Sequence, residues 1–365
     1  MDTALILTGG GARAAYQVGA LLGLKSICEK HDIAYPFSIY SGCSAGAINM
    51  AFLANEHDKR FSSLPLLERL WTSIHTHNVY RTDFYSIVGI ARKLVWDVFT
   101  GRYSKYKDSN GMLDSSPLKE LIEKYYDERK VANLIASGQL KGVGISAFNY
   151  SNNVSEYFFQ ADDSIQEWQS MNRVATKTTI RASHIYASSA IPVMFPFVEI
   201  DGQYYGDGSL RNYKPLNPSL HMGADKLFVI GVSSAKQVKH APRPSTSRVV
   251  STMLNSILLD STHLELHYIN KINELVKKSS TDTNQLKDIK TFVLRPSIDV
   301  GELAIGYRHK LPKIIWHLIR GLGATKEAGD LISYLLFEPQ FTKKLIELGK
   351  QDALEQEQAI LQFFT

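Results

Sequence analysis

Two short apolar runs near the start of the chain each end in glycines and small residues, and each is followed by a helix-compatible stretch. Ala4-Leu5-Ile6-Leu7-Thr8 leads into Gly9-Gly10-Gly11, after which residues 12–28 carry Leu21, Leu22 and Leu24 spaced for burial. Phe37-Ser38-Ile39-Tyr40 leads into a turn at Gly42 to Gly46, and residues 47–54 are small and helix-compatible. Strand, loop and helix twice in succession point to a parallel α/β sheet.

The rest of the chain extends that plan. Residues 64–74 and 87–99 read as helices, and the Gly-, Ser- and Lys-rich residues 101–111 as an exposed loop. Another helix follows, with Ser116 as N-cap and Pro117 at its first position. Residues 143–150 and 154–160, parted by Ser151-Asn152-Asn153, form an expected β-hairpin, and a helix over 178–189 leads to Ile191-Pro192. Residues 197–200 and 203–205 flank Asp201-Gly202, a hairpin turn, and the second strand runs straight into Gly206-Asp207-Gly208. A buried-type strand over 227–232 precedes a Pro- and Ser-rich linker at 239–248. Helical segments, a strand at 291–294 and a terminal helical region after Gly329 complete the chain. The expected division is a domain over 1–238 and a mainly helical portion over 239–365 packed on it.

With 365 residues, 44% hydrophobic and 21% charged, the chain has ample material for a core. No window reaches the roughly 18 apolar residues of a membrane span, and the first apolar stretch lacks a basic run before it, which argues against a cleavable leader. The expected location is therefore cytoplasmic or peripheral to a membrane. A net charge of +5 mildly favours anionic surfaces such as phospholipid headgroups, but no basic block is dense enough for nucleic acid. Cys28 and Cys43 are too few for a disulfide framework.

Gly42-Cys43-Ser44-Ala45-Gly46 fits the G-x-S-x-G nucleophile elbow, in which a strand-to-helix turn exposes a serine and aims the helix N-terminus at it. The competing reading is a small-residue turn with a capping serine. Gly9-Gly10-Gly11 before a helix can point N–H groups at an anion and form an oxyanion hole. Gly9, Gly11 and Ala14 also satisfy a dinucleotide fingerprint, but the second strand ends in Tyr40 and not in the acid that site needs. A serine needs a base, usually histidine. The downstream candidates are His221, His240, His263, His267, His309 and His317, none in a recognisable motif. Asp207 lies among small neighbours at a strand end, where a dry cleft would raise its pKa and let it accept a proton, or where it is simply a turn residue.

Together these pieces resemble the patatin-like phospholipase family: a glycine-rich loop at Gly9 to Arg13, G-x-S-x-G at Gly42 to Gly46, and Asp207-Gly208-Ser209 where the family has D-G-[GA]. Supporting stretches are Leu113 to Leu118, Ala187 to Pro192 with Phe195-Pro196, and Tyr334 to Phe337. The resemblance implies a three-layer α/β/α fold with a central, mainly parallel sheet and a helical C-terminal portion. It implies lipid acyl hydrolysis, usually of phospholipids, through Ser44 as nucleophile and Asp207 as base. Gly9, Gly10 and Gly11 would form the oxyanion hole, with no cofactor and no metal. Arg13 matches a basic position that steadies the loop or attracts a substrate phosphate. Ala14 and Ser209 depart from the usual glycine and glycine or alanine.

Two further features have blander readings. His263 and His267 stand four apart on an expected helix, but Glu265 is rotated off their face, so the zinc pattern H-E-x-x-H is absent. Residues 311–322 combine an apolar face with Lys313, His317 and Arg320, which suits a core helix with a basic edge or an interfacial helix making peripheral membrane contact.

Overall fold

The computed structural model describes residues 1–81, 111–212, 214–234, 249, 252, 261–278, 287–321 and 328–365. The expected helix at 87–99, most of the loop at 101–111 and the linker at 239–248 lie outside them.

The strands are β1 (Thr3–Leu7), β2 (Phe37–Cys43), β3 (Gly142–Asn149), β4 (Val154–Ala161), β5 (Trp168–Ser170), β6 (Arg173–Lys177), β7 (Val198–Ile200), β8 (Gln203–Asp207), β9 (Lys226–Ile230) and β10 (Lys290–Leu294). Up to β9 they are interleaved with helices α1 (Ala15–Lys30), α2 (Ala45–Asn55), α3 (Leu64–Ser73), α4 (Ser116–Tyr125), α5 (Glu128–Ala136), α6 (Ala182–Ser188) and α7 (Asn217–His221). Then come α8 (Ser261–Lys278), α9 (Val300–Gly306), α10 (Lys313–Gly321), α11 (Gly329–Leu335), α12 (Pro339–Glu355) and α13 (Glu357–Phe364).

One sheet holds the described strands in the order β10-β9-β1-β2-β3-β4-β6-β5, with β8 pairing β3 and β7 pairing β8. From β10 to β3 all pairs are parallel, as the two opening strand–loop–helix units require. β3 and β4 are the expected hairpin, and β7 and β8 meet at Asp201-Gly202. Both turn residues have positive φ, 51° and 79°, the backbone that an Asp-Gly pair adopts most readily. Strands β1, β3 and β9 are buried along their whole length, because helices cover both faces of the sheet. The large core on one face gathers Leu5, Leu7, Tyr16, Leu24 and Phe228, and a smaller core on the other gathers Ile6, Ile39, Leu227 and Val229.

Residues beyond 238 contribute to this frame directly. β10 supplies an edge strand of the sheet, and α12 lies against α1 so closely that a Cβ on Gly19 would stand 1.9 Å from the Ile346 carbonyl oxygen. Tyr16 donates a buried hydrogen bond to Asp352 at 3.0 Å across the same contact. In α10, Ile315 and Ile319 are buried with Leu311, so this part of its apolar face packs in the core. Among the described residues no helix is long and apolar enough to cross a membrane.

Several boundaries differ from expectation, and the helix expected over 178–189 spans only Ala182–Ser188. The helix after Gly11 opens with a tight turn over Gly11–Ala14 before α1 proper. Ser116 is the first residue of α4 and not its cap; the position before it is Ser115, and Asp114 accepts the Ser116 N–H at 2.9 Å. Asp114 reaches the exposed N–H first, so the sequence signal was offset by one carboxylate.

Candidate active site

Parallel strands leave their C-terminal ends, and the loops that follow, along one edge of the sheet. Gly9 follows β1 there and Ser44 follows β2. β8 is antiparallel to β3, which places Asp207 opposite Ala147. Three loops distant in sequence thus converge.

Ser44 holds φ 53° and ψ −132°, a backbone that a non-glycine residue adopts at a cost of roughly 1–3 kcal/mol. The flanking glycines make the turn possible. A Cβ on Gly42 would sit 2.6 Å from the Ala47 Cα, and one on Gly46 would sit 2.2 Å from the Leu7 carbonyl oxygen. Both contacts are with backbone, so neither neighbour can move aside cheaply. Two serines from the end of α6 hold the strained residue: the Ser44 N–H donates to Ser188 Oγ at 2.9 Å, and Ser189 Oγ donates to the Ser44 carbonyl at 3.1 Å. The same segment fixes Asp207, whose N–H donates to the Ala190 carbonyl, while the Gly208 N–H donates to that of Ser188. Ser188 and Ser189 were not singled out from sequence; their only signal was their place in the Ala187 to Pro192 stretch.

Ser44 Oγ donates to Asp207 Oδ2 at 2.6 Å. The other carboxylate oxygen accepts the Ser209 N–H at 2.8 Å. Asp207 is fully buried, and loss of hydration pushes its carboxyl up to about 6, even though the bonds from Ser44 and Ser209 favour the charged form. The departure at Ser209 is accommodated, its hydroxyl lying 3.3 Å from Cys43 Sγ. Burial raises the Cys43 thiol well above its ordinary value, which disqualifies it as a nucleophile at neutral pH.

Ser44 opens onto a cavity of about 260 Å³ walled mainly by apolar side chains of α2, α3 and α4, and Gly11 borders it. Gly9 instead faces a recess of about 20 Å³ shared with Cys43 and Ser209, and a Cβ on it would stand 2.9 Å from the Ser44 Cβ. Gly11 has φ +55° and lies so near Tyr334 that a Cβ would meet that carbonyl oxygen at 2.3 Å. Among the described residues no backbone carbonyl accepts the N–H of Gly9, Gly10 or Gly11.

Arg13 points elsewhere. Its Nη2 meets Asp330 Oδ1 at 2.6 Å, its Nε donates to Ser333 Oγ at 2.6 Å, and its guanidinium lies 4.5 Å over the Tyr334 ring. The side chain is buried and clasps the glycine loop to α11.

No described histidine lines the cavity. His221 stacks on Trp168, His263 lies against Arg295, and His317 Nδ1 lies 2.6 Å from the Lys313 carbonyl; His240 is outside the described residues. Among the described residues no group of three or more His, Cys, Asp or Glu able to hold a metal occurs, around His263 and His267 or elsewhere.

No curated protein matches the chain. Among solved structures, human GIVD cytosolic phospholipase A2 aligns over 100% of the chain and 60% of its own, at 12% identity and TM-score 0.46. VipD from Legionella pneumophila aligns over 95% and 67%, at 12% identity and TM-score 0.34. The Pseudomonas aeruginosa complex of SpcU with ExoU aligns over 95% and 53%, at 14% identity and TM-score 0.31. The chain thus spans from about half to two thirds of the length of these proteins. The sequence pattern of one family, patatin-like phospholipase, matches residues 5–219, more than half of the chain. The chain belongs to the patatin-like phospholipase family.

Proposed function

We propose that this protein is a lipid acyl hydrolase that cleaves carboxylic esters through Ser44 as nucleophile and Asp207 as base. The observation that carries the reading is the 2.6 Å hydrogen bond from Ser44 Oγ to a fully buried carboxylate, at the end of an apolar cavity. A carboxyl with a pKa of about 6 is ionised at neutral pH yet basic enough to accept a proton from an attacking hydroxyl.

Asp207 takes the Ser44 proton as Oγ bonds to the ester carbonyl carbon. The carbonyl π electrons move onto oxygen, and N–H groups of the Gly9-Gly10-Gly11 loop hold that oxyanion, Gly11 being the member that borders the cavity. As the tetrahedral centre collapses, the alkoxide leaves with the proton from Asp207. Water then repeats the sequence on the acyl-serine: Asp207 accepts its proton, hydroxide oxygen bonds to carbon, and Ser44 departs reprotonated, releasing the fatty acid.

The apolar wall supports a phospholipid or another lipid ester as substrate, drawn from a membrane contacted peripherally. A fluorophosphonate probe tests the nucleophile: it should add its mass to the peptide bearing Ser44. Labelling elsewhere, or none in the folded protein, would overturn the assignment.

A further inference from the structure

The cavity beside Ser44 has a defined far end, and we infer that it is a ruler admitting saturated acyl chains of about nine carbons, with Tyr126 as its stop. This rests on Ser44 carrying the acyl group, as proposed above.

The cavity runs along α2. Ser44 stands at the N-terminal end of that helix, and Ile48 and Phe52 line the cavity one and two turns further on. α4 lies alongside in the same direction. Just before it, Leu113 bonds to the Met194 carbonyl, next to the site residue Phe195, and just after it the Asp127 N–H donates to Asn55 Oδ1 at 2.9 Å, at the far end of α2. The far wall is therefore Phe52, Ile122 and the Tyr125–Tyr126 pair. Tyr126 is fixed there, because its hydroxyl donates to the Ile180 carbonyl at 3.1 Å. Tyr125 and Tyr126 also wall a separate open recess of about 570 Å³ that carries Glu123, Lys124, Glu128 and Arg129. The tyrosines thus divide an apolar slot from a charged, wet one, and a chain end passing them would leave apolar surroundings.

The length of the slot follows from the rise of α2. Eight residues of helix from Ser44 to Phe52 rise about 12 Å. An extended chain with C–C bonds of about 1.52 Å advances roughly 1.3 Å per carbon, so about nine carbons fit.

The test is the chain-length profile of kcat/KM on soluble single-chain esters from about four to about sixteen carbons, where each buried methylene should raise the value by about fourfold until the slot is full. The wild type should climb to about nine carbons and then level or fall. Tyr126→Ala should move the break several carbons longer, while Ile48→Trp, one turn from Ser44, should move it to about five. Fatty-acid affinities of Ser44→Ala, read by displacement of a fluorescent fatty acid, should break at the same length as wild-type turnover. A wild-type profile that climbs without a break past about fourteen carbons, or breaks left unmoved in both variants, overturns the ruler. Absence of turnover with a binding break at about nine carbons would instead overturn the hydrolase reading and support the slot.

Discussion

Arg13 Nη2 lies 2.6 Å from Asp330 Oδ1, joining the loop that follows the glycines to a helix 317 residues further along the chain. The Arg13 side chain is only 3% exposed, so its charge depends on that partner, on Ser333 and on the Tyr334 ring. Arg13→Ala should lower stability by about 1–3 kcal/mol, measured by denaturant unfolding, since the buried Ser333 and the partly exposed Asp330 both lose their partner. With the arginine committed in this way, the ratio of phospholipid to neutral-ester turnover should stay that of the wild type. A selective loss of phospholipid turnover would show that Arg13 meets phosphate.

The raised carboxyl of Asp207 makes the site a stability cost. The folded state holds its proton up to about pH 6, whereas the unfolded chain releases it near the ordinary value of 3.8. Between those values the folded state binds more protons, so stability falls as pH rises through that window, by about 3 kcal/mol in all. Asp207→Asn has no such penalty and keeps an acceptor for the Ser209 N–H. It should unfold at a higher temperature than the wild type at pH 8 and lose that advantage near pH 4; an equal gap at both would contradict a raised carboxyl.

The same group should set the acid limb of activity. With Asp207 as the proposed base, its ionised form is the working one, so kcat/KM should rise tenfold per pH unit below about 6 and level above it. A histidine base would be expected to leave a second, movable limb on replacement of that histidine, and no single substitution of a described histidine should remove the limb near 6.

Much of the geometry around Ser44 and Asp207 could be read from the sequence, for a physical reason: each of the two residues sits in a turn whose chemistry is local. Gly42 and Gly46 are needed because of atoms only a few residues away or on the adjoining strand, and the Asp201-Gly202 turn announces the strand that delivers Asp207. What could not be read depends on distant partners. Nothing near Arg13 names Asp330, nothing near Gly19 names Ile346, and Ser188 and Ser189 look like ordinary small residues until α6 ends beside the elbow. The face of α10 had two outlets by pattern, core or membrane, and only packing decides between them.

The glycine loop can be tested with its neighbour. A Cβ on Gly10 would stand 2.3 Å from Val232 Cγ2, a side-chain atom, so the clash can be relieved. Gly10→Ala should displace the loop and cut kcat by about 100- to 1,000-fold, the usual cost of a lost oxyanion donor. Adding Val232→Ala should return much of it. Full activity in Gly10→Ala alone would remove the loop from the mechanism.

The most direct measurement is hydrolysis of a medium-chain p-nitrophenyl ester and a fluorogenic phospholipid by the wild type, Ser44→Ala and Asp207→Asn, each checked for folding by circular dichroism. Ser44 and Asp207 acting as one unit requires both variants to be folded and to lose turnover of both substrates. A folded Asp207→Asn that keeps most of its activity would contradict it and place the base on another residue.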